Sequence, residues 1–457
     1  MSRPFSESAA DFLAFALGIC TSFSWHFIGD FPIAEMVLTP LAPILIVIRW
    51  RRANRPGLKW ILILMGLWLM GQVASDVYSG TPRFDWMRGD ATIVFFGLDL
   101  VALVVLMGRN EPRKVIFVVG IALGVILQTR YAPTIFTEAD SWKFGYSLPS
   151  MQISLLISSF FYGRKIYSLA ALAILGIVVV NLMLNFRSPV LDLLVTIALV
   201  FPIIPDHISR LTILPRAGSS MRVVVLAVLA MGAGLVANSM IHLVTKSGLL
   251  SEESQAKNEE QSQAGNLLLG GRPEFVVGLR AALDSPIIGH GSWAKDYKYA
   301  EMFNDMETEM GSYRNVQAIE ESSNGQIPGH SALITSWVWA GIFGATFWGY
   351  IIWLLLRSIT RITLTRPWIA PLYTWILVSA FWDVLFSPFA YTRRLTVAFT
   401  LVIVLDLLEP VASKIPAVVK LRRTGWRRMP MRGRAFPSRW GGSSGLSSAS
   451  PNLPSRD

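Results

Sequence analysis

The sequence predicts an all-α polytopic membrane protein, with about 12 transmembrane helices and one large loop outside the membrane. Three observations lead there. Of 457 residues, 53% are hydrophobic and only 16% charged, and the mean hydropathy is +0.48. Apolar runs long enough to cross a bilayer, roughly 17–25 residues each, recur along most of the chain. The basic residues then fall unevenly on the segments between those runs.

The predicted spans are 10–28, 31–48, 58–76, 91–107, 114–128, 149–162, 166–184, 188–205 and 222–243, then 330–356, 368–387 and 394–411. A bilayer core offers no water to backbone groups, so runs this apolar must be helices. Gly18, Gly120, Gly124, Gly341 and Gly344 supply small surfaces for close helix contact. The first run lacks a small-residue cleavage site after it and reads as an uncleaved anchor. Cys20, the single cysteine, excludes an intrachain disulfide.

Alternating the segments between two sides places roughly two-thirds of the 41 Lys and Arg residues on one of them. That side holds both termini and is read as cytoplasmic. It includes the basic tail at 413–457, which is expected to lie against anionic lipid and then become disordered. Topology thus accounts for the net charge of +11, and no nucleic-acid partner is expected. The chain therefore divides into helices 1–9 (1–244), a large external loop (245–329), helices 10–12 (330–412) and the tail.

The loop is net acidic, opposite in sign to the chain. After a polar stretch, Arg272 to Leu283 places Phe275, Val276, Leu279, Ala282 and Leu283 at helical spacing, with Pro273 suited to a first turn. This helix is predicted to lie along the membrane surface and to end at Ser285-Pro286-Ile287-Ile288-Gly289. Trp293–Tyr313 is aromatic and acidic, and Gln317–Gln326 reads as loop.

Several residues can carry chemistry. Arg187 sits at the external end of an apolar helix, where it snorkels, pairs with Asp192 one turn inward, or holds a phosphate. Arg272 opens the amphipathic helix, where backbone N–H groups also favour an anion; Arg280 lies two turns on. His330 precedes a membrane helix on the outer side, where an imidazole can act as a base or hydrogen-bond a loop carbonyl. Asp99, Asp192 and Asp383 are carboxylates in or near apolar helices and suit inter-helix bonding. Asp383 and Arg393, with Asp192, can also border an external cavity. No zinc spacing, Gly-rich nucleotide loop or DxD cluster occurs, so no metal or cofactor is expected.

Arg272…Ser285-Pro286-Ile287-Ile288-Gly289-His290-Gly291, Gly329-His330-Ser331…Gly341-Ile342-Phe343-Gly344 and Arg187-Ser188 together resemble motifs of the O-antigen ligase/polymerase superfamily. These are bacterial polyprenyl-diphosphate-dependent glycosyltransferases. The departures are Ser331 where Asn is commoner, Val276 near a frequent Trp, and Phe186-Arg187-Ser188 in place of Ser-Arg-Gly. The resemblance extends to the helix count and the single late periplasmic loop.

It implies metal-independent transfer of a glycan from undecaprenyl diphosphate to an acceptor hydroxyl at the periplasmic face of the inner membrane. His330 would deprotonate or orient the acceptor, and Arg187 and Arg272, with Arg280, would hold the diphosphate. The acceptor is a second lipid-linked glycan in a polymerase, the slightly favoured reading, and lipid A core in a ligase. A transporter or flippase for polysaccharide or lipid-linked precursors is the alternative.

Overall fold

The computed structural model describes residues 5–26, 30–184, 186–201, 273–309 and 324–409. The predicted span 222–243, the first part of the loop, Arg272 and the tail at 413–457 lie outside the described residues. The fold is all-α. Its helices are α1 (Phe5–Cys20), α2 (Ile33–Ala53), α3 (Pro56–Ser79), α4 (Arg83–Met107), α5 (Glu111–Tyr131), α6 (Ile135–Ala139), α7 (Ser147–Gly163), α8 (Tyr167–Met183) and α9 (Arg187–Val200). After the undescribed segment come α10 (Pro273–Asp284), α11 (Tyr297–Glu309), α12 (Ala332–Thr365), α13 (Ala370–Phe386) and α14 (Tyr391–Leu408). The one sheet among the described residues is a hairpin of β1 (Ser24–His26) and β2 (Asp30–Pro32).

Each predicted apolar run among the described residues is helical over most of its length. Four helices, α3, α4, α5 and α12, are long and apolar enough to cross a bilayer; α8, α9 and α13 are apolar but shorter. Their outward faces carry Trp60, Ile63 and Met70 on α3 and Leu169, Leu172 and Val179 on α8. Such apolar exteriors mark a membrane protein, because water would penalise patches of this size.

Local chemistry sets the ends. Pro56 starts α3 and Gly80 closes it in the left-handed conformation. Asn110 caps α5 by accepting from the Arg113 amide. The run at 10–28 is helical only to Cys20, where Thr21 and Ser22 turn the chain into the β1–β2 hairpin. The main core centres on stacked aromatics: Trp68 lies 4.9 Å from Phe347, and Phe389 lies 4.9 Å from Trp348 and 5.0 Å from Phe96.

A second, smaller core joins α10, α11 and the first turns of α12 through Val277, Ala281, Tyr299, Phe303, Ile334 and Val338. The apolar run 330–356 is therefore not one straight helix. Gly341, at φ 59°, ψ −146°, breaks α12. Trp348 Nε1 donates to Ser336 Oγ at 2.8 Å, whereas twelve residues of straight helix would separate them by about 18 Å. The segment before Gly341 folds back and packs with α10 and α11. The longer segment after it, Ile342 to Thr365, measures about 36 Å at 1.5 Å per residue.

Candidate functional site

Two glycines and one loop build the platform. Breaking α12 at Gly341 frees the carbonyls of Val338 and Trp339, and the loop after α10 takes them up. His290 N donates to Val338 O at 2.6 Å, Gly291 N to Trp339 O at 3.2 Å, and Ile342 N donates to Ile287 O at 3.2 Å. The Pro-x-x-Gly turn and the Gly-x-x-Gly helix, far apart in sequence, are thus two halves of one joint. Gly289, at φ +89°, lies so close that a Cβ would stand 2.7 Å from the Gly341 amide.

The joint is anchored to α3. Ser292 donates from N and Oγ to the two oxygens of Asp76 at 2.5 and 2.8 Å, and Gln72 Nε2 donates to Ser292 Oγ at 2.8 Å. All three side chains are buried, so the carboxylate's hydrogen bonds meet its desolvation cost. His290 has a structural role, its Nε2 donating to Ala281 O at 2.9 Å.

His330 stands just before α12. Ser331 caps that helix, accepting from Ile334 N at 3.2 Å and donating to Val384 O of α13 at 3.2 Å. Phe275 of α10 meets Phe386 of α13 at 5.8 Å. The starts of α10 and α12 therefore meet the end of α13. There the imidazole of His330, 44% exposed, has Nδ1 4.0 Å from Oε1 of Glu274, which is 9% exposed. This is ion-pair range rather than a hydrogen bond, and catalytic contacts of this kind tighten on substrate binding.

Glu307 of α11 adds a second carboxylate near Glu274. Burial, then the Glu274 charge, push its carboxyl above the usual glutamate range, and its Oε2 is buried without a hydrogen-bond partner. Glu274 and Glu307 were missed in the sequence. The only signal for Glu274 was an acidic residue in the first turn of an amphipathic helix, which helix capping explains equally well.

The remaining predicted residues fall into two groups. Asp383, on the last turn of α13, pairs with Arg393 at 2.5 Å and accepts from Ser387 Oγ at 2.8 Å. One turn deeper, Ser379 Oγ donates to Asp192 of α9 at 2.6 Å, which brings the start of α9 toward the end of α13. Arg187 is the first residue of α9; its side chain, like Arg272, lies outside what is described.

Arg280 stands apart. Six residues beyond Glu274, it lies about 120° round the helix, is 61% exposed, and pairs with Asp284 at 3.2 Å. Hydrogen bonds from Lys298 and Tyr299 hold the Asp284 carboxyl down to about 2. Asp99 is buried near a further ion pair, in which Arg394 donates from Nε and Nη2 to Glu35 at 2.8 and 2.5 Å.

Among the described residues no group of three or more His, Cys, Asp or Glu is placed to hold a metal ion. Compared with models of known protein families and with curated proteins, the sequence matches none.

Proposed function

We propose that the protein is a membrane glycosyltransferase that moves a glycan from undecaprenyl diphosphate to an acceptor hydroxyl at the outer face of the bacterial inner membrane. Both termini are then cytoplasmic. The observation that carries the reading is His330 beside the buried Glu274 where α10, α12 and α13 meet. As the 4.0 Å contact tightens on substrate binding, Glu274 holds the imidazole by Nδ1 and leaves Nε2 for the acceptor.

As the acceptor oxygen bonds to the anomeric carbon, its proton passes to His330 and the bond from that carbon to the diphosphate oxygen breaks. Arg187 and Arg272 neutralise the departing diphosphate; Arg393, already paired with Asp383, borders the acceptor side. Arg280 is left out of this group by its pairing with Asp284. The acceptor is a second lipid-linked glycan, making the enzyme a polymerase, with lipid A core, the ligase acceptor, as the other choice.

A second reading, transport of polysaccharide or a lipid-linked precursor, is favoured by the buried Glu35, Arg394 and Asp99, since charges inside a membrane often mark a pathway. Glu35 and Arg394 lie in the first turns of α2 and α14. This end location is less suited to a midplane site.

The test is the surface-glycan profile of a strain deleted for this gene and complemented with wild type or His330→Ala. Long chains restored by wild type alone support the transferase. Single repeat units on core then indicate a polymerase, and bare core with lipid-linked polymer a ligase. Full complementation by His330→Ala removes the catalytic role and puts transport ahead.

A further inference from the structure

At the far end of α3 from Ser292 lies a second concentration of charge. Arg55 and Ser75 are separated by about 30 Å of helix, so this region is remote from His330. The α2–α3 and α4–α5 connections meet there around a cavity of about 560 Å³ lined by Arg52, Arg55, Met107, Gly108, Arg109 and Asn110. Among the described residues no acidic side chain lines it, although Glu409 lies 3.8 Å from Arg109.

The neighbouring carboxylates are engaged around its edge. Glu409 and Asp406 pair with Arg55 at 2.5 and 2.8 Å, and Asp11 with Arg113 at 2.7 Å; Glu7 pairs closely with Arg113 and lies 3.6 Å from Arg52. Arg49 and Arg113 lie close enough for their charges to act on Arg52. Two donors, Arg55 Nη2 and Arg49 Nη1, are buried without a hydrogen-bond partner. Arg55 as a whole is only 8% exposed, so its open donor is held in place. Buried guanidinium donors are costly unless something accepts from them.

We infer that this cavity binds a phosphate-bearing anion, the headgroup of an acidic phospholipid, through Arg52, Arg55 and Arg109. Guanidinium groups match phosphate oxygens in geometry as well as charge. The flank of the cavity favours a lipid over a soluble phosphate. Val47 and Ile48, on the turns of α2 before Arg52, are 79% and 70% exposed and offer an acyl chain an apolar track. Between Glu409 and Asp457 the sequence has no Asp or Glu. The basic side of the topology places the cavity at the cytoplasmic leaflet, where basic pockets between helices take acidic headgroups.

The test uses the full chain, purified and delipidated in detergent, with cardiolipin, phosphatidylglycerol or phosphatidylcholine added and bound lipid counted by native mass spectrometry. Wild type is expected to retain cardiolipin and phosphatidylglycerol over phosphatidylcholine, and Arg52→Ala/Arg109→Ala to lose that preference by about tenfold or more, one decade per 1.4 kcal/mol. Equal retention of the three lipids by wild type, or an unchanged preference in the double variant, overturns the site.

Inorganic phosphate and pyrophosphate form a second arm. If either displaces cardiolipin and alone raises the melting temperature as much, the anion is a soluble phosphate and the lipid assignment falls. If neither competes, the lipid assignment stands. Should the double variant fail to fold, Arg109→Gln alone leaves both Arg55 pairs intact. A reduced preference in it supports the site, and an unchanged one overturns it.

Discussion

Replacing Gly341 by alanine tests the joint between the two motifs. The residue has φ 59° and ψ −146°, and a Cβ there would lie 2.0 Å from the carbonyl oxygen of Ile287. That neighbour is backbone and cannot swing aside. The backbone conformation alone costs a residue other than glycine about 1–3 kcal/mol. Moving the loop away also forfeits the His290–Val338, Gly291–Trp339 and Ile342–Ile287 hydrogen bonds, at about 1 kcal/mol each. The sum, about 4–6 kcal/mol, is a large share of the 5–15 kcal/mol typical of a folded domain.

The assay is thermal unfolding in detergent, compared with Gly66→Ala. Nothing lies within 4 Å of a Cβ at Gly66, so that change is near neutral or mildly stabilising. Gly341→Ala is expected to melt well below both wild type and Gly66→Ala and to lose the proposed glycan transfer. If Gly341→Ala and Gly66→Ala melt together, the loop does not depend on the break in α12 and the reasoning is wrong.

Three further outcomes are expected. Glu274→Gln should lower kcat about tenfold or more with little change in KM, because it acts through His330 rather than on substrate; Glu274→Asp should recover part of the loss, and equal kcat in wild type and Glu274→Gln counts against the pairing. The Asp284 carboxyl is depressed to about 2 by Lys298 and Tyr299, so its contribution is present above about pH 4 and lost as the pH falls toward 2. Asp284→Asn should therefore melt below wild type at neutral pH and converge with it in strong acid. The Glu307 carboxyl is raised from 4.5 by burial and by Glu274, so its ionisation weakens the fold as pH rises. Glu307→Gln should match wild type below 4.5 and exceed it at neutral pH, as melting across a pH series will show.

Much of the helical layout was legible because apolar runs and their breaks are local properties. Pro273 and Ser285-Pro286 marked α10 to within a residue at each end. The bend in α12 was not legible: Gly341 sits inside an unbroken apolar run, and only the loop from Ile287 to Gly291 reveals that a glycine is required for φ rather than for helix packing. Helix α11 was hidden by its mixed aromatic and acidic composition, since only Tyr299 and Phe303, one turn apart, are deeply buried in the second core.

At the candidate site, His330 stands out in the sequence as a candidate through its place before a helix. Glu274 was not, because its partner lies 56 positions away in sequence and meets it only through the packing of α10 on α12. Arg280 pairs with Asp284 instead of facing Glu274. Helical spacing put it near Arg272, but Asp284 one turn on provides a local partner that sequence reading left out.

The central claim is that His330 drives transfer from a polyprenyl diphosphate without a metal ion. The direct measurement is release of undecaprenyl diphosphate when the purified full-length protein is given its lipid-linked glycan and acceptor in the presence of a chelator. Wild type is expected to release it at an undiminished rate, and His330→Ala to be slower by about 10²–10⁴-fold. Release that stops with the chelator, or that continues unchanged in His330→Ala, would contradict the claim.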